Sequence, residues 1–546
     1  MFPAFAWCSV STFKKEIMII LQNLTYIHSN KDLLFDNIHL AVNDNEKIAL
    51  IGNNGSGKST LIKIMAGIVQ PSAGLVNSSS KPYYVPQIFG QFNEHTIAQA
   101  LQIEDKLNAL SEILSGNVSE SNFATLNDDW TIEERSYAAL AHWGHQGLDL
   151  KQRMNTLSGG QKTKVFLAGI LIHQPDIILM DEPSNHLDLS GRALLYNFIQ
   201  SCESTLVVIS HDRKLLNMLD IVVELSSKGL SVYGGSYDFY KEQKLSERQA
   251  LDHDLKSKEK ELRKAKEIER EALERQQRTD ARGKKKQEKA GLPRISMNTL
   301  KNKAENSTAK VKGVHAEKTG MLSQELNDLR KELPEADKIK FGFDNSSLHK
   351  GKILCSVKEI NHSYDQNLLW KERLSFQITS GERLVVKGLN GKGKTTLIKI
   401  ILGEIKPLIG TIYKADCKTV YIDQEYSIID NDFSVYEQAQ TFNSTSLQEH
   451  EVKIRLNRFL FTKDDWDKSC SVLSGGEKMR LMLCCLTISS QVPDIIVLDE
   501  PTNNLDIQNV EIMTAAINEY EGTLIVISHD EYFLEQVGVE REIELI

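Results

Sequence analysis

The sequence predicts an α/β fold: two domains in tandem, each built around a phosphate loop on a buried sheet, joined by a long α-helical hairpin linker. Three observations carry that expectation. A glycine-rich motif occurs twice, as GNNGSGKST from Gly52 to Thr60 and as GLNGKGKTT from Gly388 to Thr396, 336 residues apart. Each copy follows one apolar run and opens another, KIALIG then KSTLIKIMAG, and RLVVKG then KTTLIKIILG. That is the strand, turn and helix context a phosphate loop requires. Between the copies, residues 241–340 read as charged, helical sequence with breakers near the middle.

The chain has 546 residues, more than one hydrophobic core usually serves. Its formal charge of -9 argues against a general nucleic-acid coat, although it leaves the distribution of charge open. The seven cysteines (Cys8, Cys202, Cys355, Cys417, Cys470, Cys484, Cys485) show no CxxC spacing or disulfide framework. A reducing cytoplasm is the expected home. The apolar N-terminus lacks a basic n-region and runs into Lys14 and Lys15, unlike a signal peptide, and Met18 is a second candidate start. No apolar run reaches the ~18 residues of a membrane-spanning helix. The expected domains are 18–240 and 351–546, with 1–17 as an N-terminal extension and 241–350 as the linker.

Four more landmarks repeat in order. YVPQ ends at Gln87 and YIDQ at Gln424, 337 apart; LSGGQ starts at Leu157 and LSGGE at Leu473, 316 apart. The DEP runs at Asp181 and Asp499 and the SHD runs at His211 and His529 are each 318 apart. The drop of 21 places extra residues in the first copy between Gln87 and Leu157.

These residue types suit phosphate chemistry. Backbone N–H groups of Gly52, Asn53, Asn54, Gly55, Ser56 and Gly57, and of Gly388, Leu389, Asn390, Gly391, Lys392 and Gly393, can cradle phosphates. Lys58 or Lys394 then neutralises them, and Ser59 or Thr395, ahead of Thr60 or Thr396, ligates Mg²⁺. Asp181 and Asp499 end apolar strands where a Mg²⁺ shell would sit, and Glu182 and Glu500 can orient or deprotonate water. His211 and His529 are placed to meet a γ-phosphate. Ser158, Gly159, Gly160 and Gln161, like Ser474, Gly475, Gly476 and Glu477, open a helix whose N-terminus is a ready anion site. Capping pairs and ordinary Ser–Gly turns are the plainer alternatives, and duplication of the whole set speaks against them.

This ordered set resembles the ATP-binding cassette (ABC) ATPases over nearly everything except Lys241 to about Lys350. The resemblance implies two ABC-type P-loop ATPase domains packed head to tail. Each ATP would lie between one half's phosphate loop and the other half's LSGG, Lys58 with Ser474–Gly476 and Lys394 with Ser158–Gly160. It assigns Gln87 and Gln424 to glutamine loops completing the Mg²⁺ ligand set, and SNHLD (Ser184 to Asp188) and TNNLD (Thr502 to Asp506) to coupling loops. Tyr364 matches an adenine-stacking aromatic; the first half has His28 there, with Tyr26 two residues away. Glu477 in place of Gln, and Lys392 inside the second loop, are departures.

Residues 241–340 hold 27 basic and 19 acidic residues, and Arg278 to Lys318 hold 12 and 4. Leu251, Leu255, Leu262, Ala265 and Ala272, and later Val311, Val314, Leu322, Leu326, Leu329 and Leu333, recur at helical spacing, with Gly283, Gly291 and Pro293 between. Two long antiparallel helices with a basic tip near 283–307 are expected. Lys284, Lys285, Lys286 and Arg294 are the candidate RNA contacts, since clustered like charges repel unless a polyanion faces them. Tandem cassettes with such a linker resemble the ABC-F family, which implies a monomer with an intramolecular cassette pair acting on the ribosome, near rRNA and tRNA. A ribosomal-protection, antibiotic-resistance role is the branch a long linker resembles. A DNA-repair-associated ABC ATPase and the ATPase subunit of a transporter are the competing readings.

Overall fold

The structure, a computed structural model, describes all residues except 1–16, 29–30, 88–89, 227, 291–312, 314–316, 331–348, 365–366, 390, 445–446, 490–491, 504 and 546, and except the side chains at 276, 280, 281 and 283–290. The first half begins with β1 (Ile17–Ile27), β2 (Leu33–Asn43), β3 (Lys47–Ile51), α1 (Lys58–Met65), β4 (Ala73–Ser78) and β5 (Tyr83–Val85). A helical stretch follows: α2 (Ile97–Ala100), α3 (Glu104–Leu114), α4 (Glu120–Leu126), α5 (Ile132–His142) and α6 (Gly159–His173). It ends with β6 (Ile177–Asp181), α7 (Leu189–Ser201), β7 (Thr205–Ile209), α8 (Arg213–Leu216), β8 (Ile221–Ser226) and β9 (Gly229–Tyr233).

The central strands of this half, β6 and β7, are buried at every position, as strands covered on both faces must be. They lie in a six-stranded sheet of order β5-β6-β7-β3-β8-β9, with β3 parallel to both β7 and β8. The phosphate loop therefore leaves the sheet's interior at strand C-termini, where α/β folds bind ligands. Register aligns Asp181 with Ile209, which brings the DEP and SHD segments to the same edge. An antiparallel sheet, β2-β1-β4, covers one face, and Ile19, Phe35, Leu50, Leu61, Ile62 and Ile209 share the apolar layer that includes α1. On the other face Trp143, Phe166 and Leu167 belong to a second layer.

After α9 (Tyr237–Ala290) and a helical stretch over 317–330, termed α10, the second half repeats the plan. Its opening elements are β10 (Ile353–Asn361), β11 (Leu374–Thr379), β12 (Arg383–Gly388), α11 (Lys394–Leu402), β13 (Ile409–Lys414), β14 (Thr419–Ile422), α12 (Val435–Thr441) and α13 (Glu449–Arg458). It closes with α14 (Gly475–Ile488), β15 (Ile495–Asp499), α15 (Ile507–Glu519), β16 (Thr523–Ile527), α16 (Glu531–Gln536) and β17 (Arg541–Leu545). The sheet order is β14-β15-β16-β12-β17, beside an antiparallel β11-β10-β13, and Asp499 aligns with Ile527 as Asp181 does with Ile209. The 21-residue surplus of the first half falls on α3 and α4, because α2 and α5 already match α12 and α13 by their spacing from the shared motifs. Asp129 anchors the insertion, accepting from Lys106 on α3 (2.9 Å) and from Arg135 on α5 (2.7 Å).

Residues Lys241–Lys338 form a separate compact unit. Within it Lys258 pairs with Glu325 (2.8 Å) and Arg330 with Glu259 (2.7 Å), and Leu255, Ala265 and Leu326 are buried. One expectation is corrected here: Gly283 does not break the helix, and α9 runs on to Ala290. A single glycine costs a helix about 1 kcal/mol, which the strong formers Lys284, Lys285, Lys286, Gln287 and Glu288 around it can carry. The tip residues from Gly291 to Ser307, with Pro293 and Arg294, lie outside the described residues, as do the side chains of Lys284, Lys285 and Lys286. No helix among the described residues is long and apolar enough to cross a membrane.

Candidate ATPase site

The first phosphate loop is shaped by backbone conditions that only glycine meets. Gly52 sits at φ 152°, and a Cβ there would stand 2.3 Å from the carbonyl oxygen of Leu225 on β8. Lys58, buried at the start of α1, donates to the carbonyl oxygens of Gly52 (2.7 Å) and Asn53 (3.0 Å). Burial pushes its ammonium pKa down, opposed by the carboxylates of Glu182, Asp506 and Asp181. A buried cation whose hydrogen bonds among the described residues go to loop carbonyls is positioned for a phosphate anion. Ser56 Oγ is buried with no hydrogen-bond partner among the described residues, a further group left for a ligand.

Ser59 Oγ donates to Asp181 Oδ1 (3.2 Å), and Tyr84 from β5 donates to Asp181 Oδ2 (3.3 Å). In the second half Tyr421 donates to Asp499 (2.8 Å), and Thr395 Oγ1 stands 3.5 Å from the same carboxylate oxygen. Burial raises the pKa of both aspartates from the ordinary aspartate value. A hydroxyl and a carboxylate beside a phosphate cradle are the hard oxygen donors Mg²⁺ takes. The described residues contain no cluster of three or more His, Cys, Asp or Glu side chains able to hold a metal alone. These donors therefore fit Mg²⁺ only as part of a shell that the nucleotide completes.

Glu182 and Glu500 are non-glycine residues at φ 53° and 48°, and each donates its backbone N–H to the strand that precedes the histidine, at Ile209 O (2.9 Å) and Ile527 O (2.8 Å). Left-handed backbone at a buried glutamate is costly and clusters at functional sites. His211 Nε2 lies 3.1 Å from Glu182 Oε1, and His529 Nε2 lies 3.4 Å from Glu500 Oε1 and 3.1 Å from Lys394 Nζ. Burial, joined by the neighbouring lysine cations, pushes His211 to about 3 and His529 to about 4, so both imidazoles are neutral near pH 7. Burial likewise raises Glu182 well above its ordinary value, helped by the Asp181 charge, and raises Glu500 to about 7.

A cleft of about 610 Å³ gathers Lys58, Ser59, Thr60, Gln87, Asp181, Glu182 and His211 from the first half with Gln424, Ser474 and Gly475 from the second. His28, Asn54, Gly55 and Gly57 line it too. Gln424 thus faces the first half's phosphate loop. Asn54 N–H donates to Asp506 (2.7 Å), whose other oxygen caps α15 through Asn509 N–H (2.8 Å). Lys478, Glu425, Tyr426 and Asn503 line this cleft and Asp506 adjoins it through Asn54, and none of the five was among the expected binding residues. Only the coupling-loop match of TNNLD pointed toward Asp506.

At the second phosphate loop Lys394 donates to Gly388 O (2.8 Å), and Trp370 Nε1 donates to Lys392 O (3.0 Å). Tyr364 hydroxyl is 3.3 Å from Thr396 Oγ1 and its ring is largely exposed, as an adenine platform would be. Leu389, Gly391 and Gly393 complete the described loop, and Asn390 lies outside the described residues. Ser158 caps α6 and Ser474 caps α14, each in a capping box closed by Gln161 or Glu477. The side chains of Gln161 and Glu477 are taken up in holding these turns. A Cβ on Gly160 would stand 2.4 Å from His186 O, and one on Gly476 2.2 Å from Asn509 Nδ2, so Gly160 lets its turn pack on the coupling segment of its own half and Gly476 lets its turn pack on the first turn of α15. Gly159 and Gly160 do not line the cleft at Lys58.

The family described as "ABC transporter" matches residues 35–185 and 371–503. An ATP-binding protein of Bacillus subtilis, YdiF, is 30% identical over 97% of this chain and 80% of its own length. The ABC transporter F family member 5 of Arabidopsis thaliana is 28% identical over 96% of this chain and 74% of its own. Among solved structures, the complex of the archaeal ribosomal stalk protein aP1 with the archaeal ribosome recycling factor aABCE1 is similar in fold, with a TM-score of 0.59 at 20% identity, covering 96% of this chain and 87% of that one.

Proposed function

The chain belongs to the ABC transporter family, and from that premise we propose that it is an ABC-F-type ATPase that closes two cassettes on two Mg·ATP and acts on the ribosome. The observation that carries the ATPase part is the first cleft, where Lys58, Asp181, Glu182 and His211 of one half share a space with Ser474 and Gly475 of the other. In this reading Lys58 and the loop N–H groups hold the β- and γ-phosphates, and Ser474 with the N-terminus of α14 meets the γ-phosphate from across the cleft. Glu182 takes a proton from the attacking water, and neutral His211 beside it steadies the transferring phosphoryl group. Ser59, Gln87 and Asp181, or Thr395 and Asp499, would hold Mg²⁺, which would neutralise phosphate charge; Gln424, which lines the first cleft, is not placed with the second set. Lys394, Glu500 and His529 repeat these roles against Ser158, Gly159 and Gly160.

The ribosome reading rests on the basic linker and on the resemblance to ABC-F proteins. A ribosomal-protection role is its narrower form, checked by whether expression raises the antibiotic concentration a sensitive cell tolerates. For the ATPase itself, Glu182→Gln with Glu500→Gln should retain ATP binding and slow hydrolysis by about 10²–10⁴-fold. Unchanged steady-state phosphate release would sink the catalytic assignment. The same variant should sediment with ribosomes more strongly in ATP than the parent does, because closed cassettes no longer reopen.

A further inference from the structure

Two residues beyond His211 the sequence reads HDR, whereas beyond His529 it reads HDE, so Arg213 corresponds to Glu531. Arg213 opens α8 and turns toward the second half. Its Nη2 is 3.3 Å from Glu511 on α15, and its guanidinium carbon stands 4.1 Å from the ring centroid of Tyr532 on α16. The side chain is 11% exposed, and Nη1 is buried with no hydrogen-bond acceptor among the described residues. Burying a guanidinium with one nitrogen unpaired is unfavourable, and an apolar residue would fill such an interface with less loss.

The segment behind Arg213 is tightly held. Asp212 accepts from Lys214 N (3.0 Å), Leu215 N (3.2 Å) and Tyr196 hydroxyl (2.5 Å), and Arg192 Nη1 lies 3.8 Å from it. Just past the far end of α8, Asn217 Oδ1 accepts the backbone N–H of Asp238 (2.9 Å) in the first turn of α9. Tyr237, the first residue of α9, is buried in the apolar cluster that holds Leu215 and Leu216, and Ile507 at the start of α15 packs on that cluster. Its hydroxyl lies within electrostatic reach of Arg213, Glu511 and Tyr532. One short helix thus joins the histidine segment of the first site, the second cassette and the root of the linker helix.

We propose that Arg213 is the positioning residue that couples nucleotide-driven closure of the cassettes to the root of α9, through its pair with Glu511 and its stack on Tyr532. The inference rests on the reading that the cassettes close on ATP, and it is independent of what the linker touches. At the matching position Glu531 belongs to the same interface, 3.8 Å from Lys214 Nζ on α8.

Amide hydrogen exchange of the full chain with and without ATP tests it. In the parent, ATP should slow exchange over residues 237–250 by about 5–150-fold, the usual range of coupling between sites, along with exchange over the phosphate loops. Arg213→Ala should lose the ATP effect at 237–250 while keeping it at 52–60. Glu511→Gln, at a partly exposed position on the other cassette, should do the same and carries the test if Arg213→Ala fails to fold. Arg213→Glu combined with Glu511→Arg should restore the effect in part, which a merely structural role would not produce. An ATP effect at 237–250 that survives both single variants, or is missing from the parent, overturns the proposal. If the parent shows the coupled protection yet never sediments with ribosomes, the ribosome reading falls and this one stands.

Discussion

Glu477 illustrates what one residue changes between two otherwise matching turns. In the first signature the Gln161 side chain accepts the backbone N–H of Ser158 (2.9 Å); in the second, Glu477 accepts both the backbone N–H (2.8 Å) and the hydroxyl (2.7 Å) of Ser474. The Ser474 hydroxyl hydrogen is thereby held by a carboxylate, and a negative charge, partly offset by Lys468 at 2.9 Å, sits beside the anion site. Glu477→Gln keeps the capping box and releases the hydroxyl. ATP should bind the first cleft about fivefold more tightly, the worth of roughly one hydrogen bond, in a fluorescent-nucleotide titration. Unchanged or weaker affinity would count against Ser474 as a phosphate ligand. Asp129 offers a second test at this scale. Burial by itself would raise its pKa, but hydrogen bonds from Lys106 and Arg135 hold it below the ordinary aspartate value. A depressed folded pKa adds stability above the unfolded value and loses it as pH falls through the folded one. Asp129→Asn should therefore cost about 1 kcal/mol at pH 7, and the difference in urea midpoint should begin to shrink below about pH 4 and vanish only below the depressed folded pKa.

At the scale of elements, packing overrides propensity on α6. Gly169 lies in the interior of this helix, where alanine would ordinarily gain about 1 kcal/mol. A Cβ there, however, would stand 1.8 Å from the Tyr83 hydroxyl, which donates to Phe166 O (3.1 Å). Overpacking of this kind costs about 1–3 kcal/mol, and the displaced hydroxyl would also lose its acceptor. Gly169→Ala should destabilise the chain in thermal unfolding; a higher melting temperature would mean that β5 and α6 can separate freely. Gly283 on α9 is the opposite case, a glycine carried by a helix rich in strong formers, and the long helix continues through it.

For the whole molecule, the separation of roles between cassettes and linker is the prediction that matters. Replacing Lys284, Lys285 and Lys286 with Ala removes three candidate phosphate contacts, each contributing about 0.7–0.9 to the slope of log affinity against log salt. Ribosome binding should weaken and become less salt-sensitive, while ATP hydrolysis without ribosomes should hardly change. Equal affinity and equal salt slope in the variant would make the linker a spacer, and the ribosome assignment would then rest on resemblance alone.

By itself the sequence determined the duplication, the phosphate loops, the strands that end on Asp181 and Asp499, and the surplus of residues before Leu157. All of these are local patterns, carried by strand and helix periods or by spacing between motifs. Only the tertiary structure decided that the surplus makes two helices pinned by Asp129, because its partners Lys106 and Arg135 come from separate helices. It also decided that Asp506 reaches Asn54, and that Arg213 meets Glu511 and Tyr532 beside Tyr237. Asp506 and Asn54, and Arg213 and its partners Glu511 and Tyr532, are hundreds of residues apart in the chain, and no local period encodes which surfaces two packed cassettes bring together.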